Sequence, residues 1–250
     1  MRALICIDDT DNIEIKRGTG QLASLLAEEI EQKGWAKCEA VTRHQLFVHP
    51  DVPYTSHNSA MCFAAEIEPR HLEDIIAYGG EFLKRERAEG SDPGLCVAIP
   101  ERITNPGWLI AFGFSAKQEV LNKDYAYGVA AELGIHLSEH GGTGDGVVGA
   151  LAGTGLRLSG NDGRFRGKFT IGMPGESLTV AEIYAKTYIT RVRNKEDGRF
   201  LLPDERVELG EVVKAVLIER EAVLLVNPLA EPGDQGAVWR TCSKEELKGY

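Results

Sequence analysis

The sequence predicts an α/β or α+β layer architecture followed by a small β-rich module, on three observations. Short apolar runs alternate with amphipathic stretches of helical period as far as about residue 160. Glycine-rich segments stand directly before two of the helical stretches. Beyond Arg164 the pattern shortens to strand-length runs separated by Asp-Gly, Pro-Asp and Glu-rich turns.

The elements follow in chain order. Residues 3–7, ALICI, form a continuous apolar run, the pattern of a strand covered on both faces, and they deliver DDTDN, residues 8–12, to its carboxyl end. Residues 21–33 place Leu22, Leu25, Leu26 and Ile30 on one helical face, with Glu28, Glu29, Glu31 and Lys33 mostly opposite and Gly34 as terminator. Strands are expected at 38–48 and 59–67, on either side of HPDVPYTSHN, where Pro50 and Pro53 interrupt any ladder. A helix over 71–86 and a short buried strand over 95–99 come next, then helices over 108–121 and 125–133, the second stopped by Gly134. HGGTGDGVVGALAGTG, residues 140–155, opens a further helix around 147–151. KFTIG, KTYITRV, RVELGEVVKAVLI and AVLLV then read as a small all-β module from about residue 165 to the end.

Composition bounds the function classes. With 250 residues, 43% of them hydrophobic, the chain sits near the size at which one core divides, so one to three modules are expected. Its 38 acidic against 28 basic residues give a formal charge of −10, so the average field opposes a polyanion and nucleic-acid binding requires a local basic patch. KTYITRVRNK, residues 186–195, is one such segment, carrying Lys186, Arg191, Arg193 and Lys195 beside Tyr188. An ordinary solvated strand face is its preferred reading. Cys6, Cys38, Cys62, Cys96 and Cys242 are scattered without a CxxC pair, which predicts reduced thiols and neither a disulfide framework nor a zinc ribbon. MRALICIDD runs from apolar residues straight into acids, too briefly for a signal peptide or a membrane span. The expectation is a cytoplasmic protein without a membrane partner.

Four segments carry chemistry. Asp8, Asp9 and Asp11 crowd three carboxylates into four residues, an arrangement that costs stability unless a cation, a hydrogen-bond cage or water relieves the repulsion. Their oxygens suit Mg²⁺, which leaves places for water and phosphate oxygens; they also suit a turn that faces solvent. In RGTGQLA, residues 17–23, Gly18 and Gly20 let the backbone approach a ligand and a helix starting near Gln21 aims free amides at a phosphate, while Thr19 adds a hydroxyl and Arg17 a cation. A glycine-flanked Thr before a helix is also an ordinary cap. Metal ligands beside an anion cradle are what a nucleoside triphosphate requires.

GGTGDGVVGALAG offers a second backbone nest, with Asp145 as a ligand for metal, hydroxyl or amine. It matches neither a Walker A nor a dinucleotide fingerprint, and Gly149, Ala150, Ala152 and Gly153 serve close helix packing equally well. PYTSHNS, residues 53–59, sets Thr55, Ser56, His57, Asn58 and Ser59 in a polar loop suited to a ligand or to plain turn chemistry. His44, His49, His71, His136 and His140 lack metal-ligand spacing and are read as structural.

IDDTD, then a Gly-Thr stretch and an amphipathic helix, then a Pro-containing loop ending in Asn-Ser-Ala, then G-x-x-G-x-G-V-V-G-A-L-A, together resemble the archaeal isoleucine-tRNA agmatidine synthetase family over about residues 1–160. The resemblance implies an ATP-dependent kinase-like α/β domain at 1–92 and a ferredoxin-like α+β domain at 93–164, leaving 165–250 as the β module. Enzymes of that family phosphorylate a wobble cytidine of tRNA and substitute agmatine, so ATP, Mg²⁺, tRNA and a small amine are the implied cofactors and partners. By motif, Asp8, Asp9 and Asp11 take the catalytic and metal-binding roles, and Thr19 falls near a threonine the family autophosphorylates. Thr10, Arg17, Gly18, Gly20 and Gln21 are the residues expected around the nucleotide, and His57, Asn58, Ser59, Gly144, Asp145 and Gly146 those expected around the substrate; of these the resemblance itself carries over Asn58 and Gly146.

Three departures qualify the match. The family's CTT is Gly18-Thr19-Gly20 here, its Lys-Thr-Arg-Gly-Asn-Gly loop is YTSHNS without the two bases, and the zinc ribbon is missing. The expected function is an ATP- and Mg²⁺-dependent phosphotransferase or ligase-type enzyme resembling tRNA agmatidine synthetase, its acceptor left open with a tRNA base as one candidate. Its alternatives are an ATP-dependent enzyme with a small-molecule substrate and a non-catalytic nucleotide or anion sensor.

Overall fold

β1 (Arg2–Asp8) divides its side chains between two cores. Successive residues of a strand point to opposite faces, so Ala3, Ile5 and Ile7 enter one apolar cluster while Leu4 and Cys6 enter the other. Both faces are therefore dry, as the unbroken run ALICI predicts. The computed structural model describes residues 1–11, 17–50 and 58–250, apart from the Asp234 side chain, and resolves into two units, Met1–Ser159 and Gly160–Tyr250.

In the first unit β1 is followed by α1 (Thr19–Gln32), β2 (Ala36–Cys38), β3 (Thr42–Gln45), β4 (Ser59–Ile67), α2 (Leu72–Glu86) and β5 (Gly94–Ala98). Then come α3 (Pro106–Ser115), α4 (Lys123–Glu132), β6 (His136–Glu139) and α5 (Gly146–Ser159). The strands order as β6-β5-β1-β4-β3, with β2 also on β4, and every neighbouring pair is antiparallel. Leu22, Leu26 and Ile30 of α1 and Phe82 and Leu83 of α2 pack with Ala3, Ile5 and Ile7. Leu109 and Phe112 of α3, Val129 of α4 and Leu151 and Leu156 of α5 pack with Leu4 and Cys6. The result is helices on both faces of one sheet.

Small residues set how closely α5 lies. A Cβ at Gly153 would fall 2.6 Å from Cys6 Sγ, and one at Gly155 would fall 2.1 Å from the Leu109 carbonyl oxygen. Helix α5 is thus wedged between the sheet and α3, and any side chain there would force it out.

Several elements differ from expectation for local reasons. The strand expected over 38–48 is two short strands that pair with the two ends of β4. Between them Glu39 turns away to receive Arg157 Nη2 of α5 at 2.7 Å. The helix expected over 108–121 ends at Ser115, and the Asn122 side chain instead caps α4 by accepting from the Tyr125 amide at 2.9 Å. The helix around 147–151 runs on to Ser159. The boundary expected at residue 92 falls inside the first unit, because β5 pairs with β1 from Leu4↔Ala98 to Asp8↔Gly94.

The second unit contains β7 (Arg164–Phe165), β8 (Ser177–Thr179), α6 (Val180–Lys186), β9 (Arg191–Asn194) and β10 (Arg206–Glu208), then β11 (Ala215–Ile218), β12 (Glu221–Pro228) and β13 (Trp239–Thr241). Strand β12 runs antiparallel to β11 and β13 and parallel to β9. Val216, Ile218, Val223, Leu225 and Cys242 form a core of its own. The all-β expectation is corrected by α6, which a capping box starts. The Glu182 amide donates to Thr179 Oγ1 at 3.2 Å, and the Thr179 amide donates to Glu182 Oε2 at 2.7 Å. The five cysteines are free thiols, and among the described residues no helix is long and apolar enough to cross a membrane.

Candidate active site

A cavity of about 480 Å³ lies at the carboxyl end of β1. Asp8, Asp9 and Asp11 line it together with Gly18, Thr19 and Gly20 at the start of α1 and Asp145 and Gly146 at the start of α5. Two neighbouring segments and a third far along the chain thus meet around one space. Glycines at the head of α5 make the meeting sterically feasible. A Cβ at Gly149 would fall 1.7 Å from Asp8 Oδ2, and one at Gly146 would fall 2.1 Å from the Asp92 carbonyl oxygen.

The acids are held in a costly state. Asp8 is 9% exposed, and burial, reinforced by the neighbouring Asp9 and Asp11 carboxylates, raises its pKa to about 8. Asp9 is pushed up to about 6, by burial first and then by the charges of Asp92, Asp11 and Asp145. Its φ of +50° is left-handed, a conformation that non-glycine residues seldom adopt and that turns the chain sharply as it leaves the strand. Asp11 has a different role. Its Oδ2 accepts from the Thr19 amide at 3.2 Å, supplying at the positive end of α1 the carboxylate that the N-cap residue Gly18 cannot.

The glycine loop before α5 already holds an anion, and that anion belongs to the chain. Asp92 Oδ1 accepts the Thr143 amide and Asp92 Oδ2 lies 3.1 Å from Thr143 Oγ1, while the Asp92 carbonyl accepts the Gly146 amide at 3.1 Å. Gly142, with φ +58°, would put a Cβ 1.6 Å from Asp92 Oδ1. The hydroxyl of Thr143 also reaches Asp145 Oδ2 at 2.9 Å, so its single proton serves one carboxylate at a time. Two amides of the nest read in GGTGDG, those of Thr143 and Gly146, are therefore taken by Asp92, and Asp145 is left at the cavity wall.

The remaining expected residues divide. Ser59 and Asn58 line the cavity. Asn58 Nδ2 donates to the Phe47 carbonyl at 2.6 Å, which engages one end of its amide in holding the wall. Thr10, Arg17, Gln21 and Gly144 do not line it. Thr10 is buried with a hydroxyl that has no partner among the described residues. Arg17 pairs with Glu86 at 3.0 Å. At Gly144, φ is +82° and a Cβ would fall 1.5 Å from Glu139 Oε2, so this glycine lets the loop pass Glu139. His57, like Thr55 and Ser56, lies outside the described residues.

Two lining features escaped the sequence reading. Asp92, in SDPG, carries no motif beyond a turn before a strand. Arg43 is the only basic side chain among the described residues that line the cavity, and it donates through Nε to Ser59 Oγ at 3.0 Å. Alternation along β3 is the one signal that could have aimed it. Leu46, Phe47, Ala116, Val120 and Leu121 form an apolar wall, so the cavity couples an acidic end to a surface suited to a flat apolar group. Among the described residues no three His, Cys, Asp or Glu side chains converge as a ready metal cage.

No protein-family model and no curated protein matches the chain. Among solved structures it is similar to TiaS in complex with an isoleucine tRNA and ATP, with 27% identity and a TM-score of 0.53, covering 62% of this chain and 36% of that one. It is similar to apo TiaS, a tRNA agmatidine synthetase, with 27% identity and a TM-score of 0.51 over 62% and 35% of the two chains. A tRNA fluorescent labeling enzyme matches at 28% identity and a TM-score of 0.52 over 62% and 36%. The chain thus spans about a third of the length of those proteins. With Asp8, Asp9 and Asp11 and the glycine-led helix α5 brought together around one cavity, and with these likenesses, the chain resembles the tRNA agmatidine synthetase family in sequence and in fold.

Proposed function

We propose that the chain is an ATP- and Mg²⁺-dependent phosphotransferase or ligase-type enzyme whose acceptor is a tRNA base, with a small amine as second substrate. The observation that carries this reading is the convergence of Asp8, Asp9 and Asp11 with the start of α1 and with Asp145 around one cavity, in a fold similar to TiaS bound to tRNA and ATP. TiaS has also been solved with its tRNA, AMPCPP and agmatine together.

The donor set fits a hard divalent cation. Carboxylates whose protons are held on by burial first and by mutual repulsion second are relieved by such an ion, and carboxylate oxygens are its natural ligands. Without a ready cage of three side chains, Asp8 and Asp9 would supply part of its shell, and water and phosphate oxygens would complete it. Bound there, Mg²⁺ would offset charge on the transferring group. Asp11 fixes the start of α1, Thr19 lines the cavity, and Arg43 offers a cation to the phosphates. Asp145 faces the same space with a carboxylate for an amine or a hydroxyl.

A small-molecule acceptor is the second reading, favoured by the acidity of a cavity with one described basic side chain and by a formal charge of −10. ATP hydrolysis with Mg²⁺, with and without bulk tRNA and agmatine, resolved into ADP and AMP, separates the cases. Stimulation by tRNA supports the tRNA-modifying reading, turnover indifferent to tRNA supports the small-molecule enzyme, and nucleotide binding without turnover leaves a sensor.

A further inference from the structure

A second cavity, of about 200 Å³, opens within the second unit and shares no residue with the site described above. Its apolar part is aliphatic: Leu201, Ile218 and Val223 line it, and all three are buried. Phe200, 40% exposed, and Tyr184 of α6 add two aromatic rings. Arg191, Glu219 and Glu221 complete the lining with one guanidinium and two carboxylates. The volume lies below the roughly 300–1,000 Å³ of drug-sized sites and above the roughly 150 Å³ that accepts benzene. Its occupant is therefore a small molecule.

Strand pairing assembles this lining. Val223 of β12 is in register with Arg191 of β9, and Ile218 of β11 faces Glu221 across their hairpin. Phe200 is the antiparallel partner of Arg193 on the other edge of β9. Glu219 and Arg220 turn the hairpin with φ of +53° and +65°, a left-handed pair that Asn-Gly commonly supplies. The Glu219 amide donates to Asn161 Oδ1 at 3.0 Å and the Arg220 amide to the Gly160 carbonyl at 2.9 Å. The turn that carries Glu219 to the cavity is thus braced from both of its residues.

The charges select the ligand. Arg191 pairs through Nε with Glu221 Oε2 at 3.2 Å, and Arg193 pairs with Glu219 at 3.6 Å. Glu221 Oε2 also accepts the Thr190 hydroxyl at 2.9 Å, so Glu221 Oε1 and the two Nη groups of Arg191 keep hydrogen-bonding capacity. An ion pair beside an aliphatic surface is a fixed dipole. A ligand of single charge would match one partner and repel the other, and a wholly apolar ligand would strip water from both. A zwitterion presents the reversed dipole: its carboxylate suits the guanidinium fork and its ammonium suits the carboxylates. An α-amino acid carries both charges on one carbon and leaves its side chain for the aliphatic surface.

We propose that this cavity binds a free α-amino acid with an apolar side chain, its carboxylate on Arg191, its ammonium on Glu221 and Glu219, and its side chain against Leu201, Ile218 and Val223. The inference goes beyond the enzymatic reading and does not rest on it.

The experiment is calorimetric titration of the full chain with L-leucine, L-methionine and L-phenylalanine, with amide chemical-shift mapping by NMR to place the binding. At least one of the three is expected to bind and to shift residues within 184–223. Glycine, which lacks the side chain, should bind about tenfold more weakly or less. N-acetyl and amide derivatives, which lack the ammonium and the carboxylate charge respectively, should each lose about tenfold. Arg191→Gln should abolish the preference for the free acid over its amide, and Glu221→Gln the preference for the free amine over its N-acetyl form. A merely loosened cavity would weaken all ligands alike and keep both preferences, and that result would overturn the assignment of the two charges. Circular dichroism melts check that the variants fold. The proposal is also overturned if none of the three amino acids binds at roughly 10 mM, if the amide binds as tightly as the free acid, or if the shifts fall only in the first unit. ATP turnover is not read here, so each of these failures leaves the enzymatic reading standing.

Discussion

A side chain cannot be added at Gly149 without striking Asp8: the Cβ position lies 1.7 Å from Asp8 Oδ2. Helix α5 and the end of β1 are so close that the backbone of one covers the carboxylate of the other. Gly149→Ala is therefore expected to lower stability by about 1–3 kcal/mol, as overpacking does in a filled interior. It should also weaken Mg²⁺–ATP binding, because Asp8 must move. Urea unfolding and nucleotide titration check both effects, and an alanine variant with wild-type values for each would contradict the close fit.

Gly128 is the useful control. It lies within α4, and a Cβ there meets nothing within 4 Å. Gly128→Ala should raise stability by about 0.5–1 kcal/mol, since alanine loses less freedom on entering a helix. Thermal melting read beside that of Gly149→Ala would show that the damage at Gly149 is steric and not a general intolerance of alanine.

Asp92 makes its own prediction, because its carboxylate fills the turn that Gly142 and Thr143 make. Asp92→Asn keeps an acceptor for the Thr143 amide and should leave stability within about 0.5 kcal/mol of wild type, whereas Asp92→Ala strands that amide and should cost about 1 kcal/mol. Hydrogen exchange at Thr143 distinguishes them: fast in the alanine variant, slow in the asparagine variant. Equal protection in both would mean that the loop holds itself.

The raised pKa of Asp8 gives a pH dependence with a definite sign. A carboxyl that titrates near 3.8 when unfolded and at about 8 when folded binds more protons in the folded state between those values. Its contribution is fully present below about pH 4 and is lost as pH rises through about 8. Metal-free protein should therefore melt at a higher temperature near pH 5 than near pH 8. Asp8→Asn should flatten that fall, and Mg²⁺ should reduce it in wild type only. A melting temperature that rises over this range in metal-free wild type, with Asp8→Asn unchanged, would remove Asp8 as the cause.

Local pattern carried much of this architecture. An unbroken apolar run declared that β1 is covered twice, and Leu22, Leu26 and Ile30 declared the inward face of α1. The placing of Asp8, Asp9 and Asp11 at the end of the strand followed from the same run. Helix α6 was legible too, in the spacing of Thr179 and Glu182, but strand-like neighbours on both sides outweighed it. Other features were not local at all. Glycines show that a loop can turn its amides inward, but the carboxylate that meets them comes from Asp92, 51 residues before Thr143. Arg43 acquires its place from the pairing of β3 with β4, which sets Ser59 beside it, and no window around Arg43 contains that partner.

The division of β1 between two cores also bears on which changes the strand tolerates. Asp8 closes the row that Leu4 and Cys6 begin, so the side to which the carboxylate points is fixed by counting residues and not by which apolar residues are counted. Trading one aliphatic side chain for another of similar volume keeps the count. Deleting or inserting one residue between Leu4 and Ile7 reverses it, swinging the acid into the wall formed by α1 and α2, while a change of two restores the original side. The strand therefore acts as a parity gauge for the cavity, tolerant of spelling and strict about length.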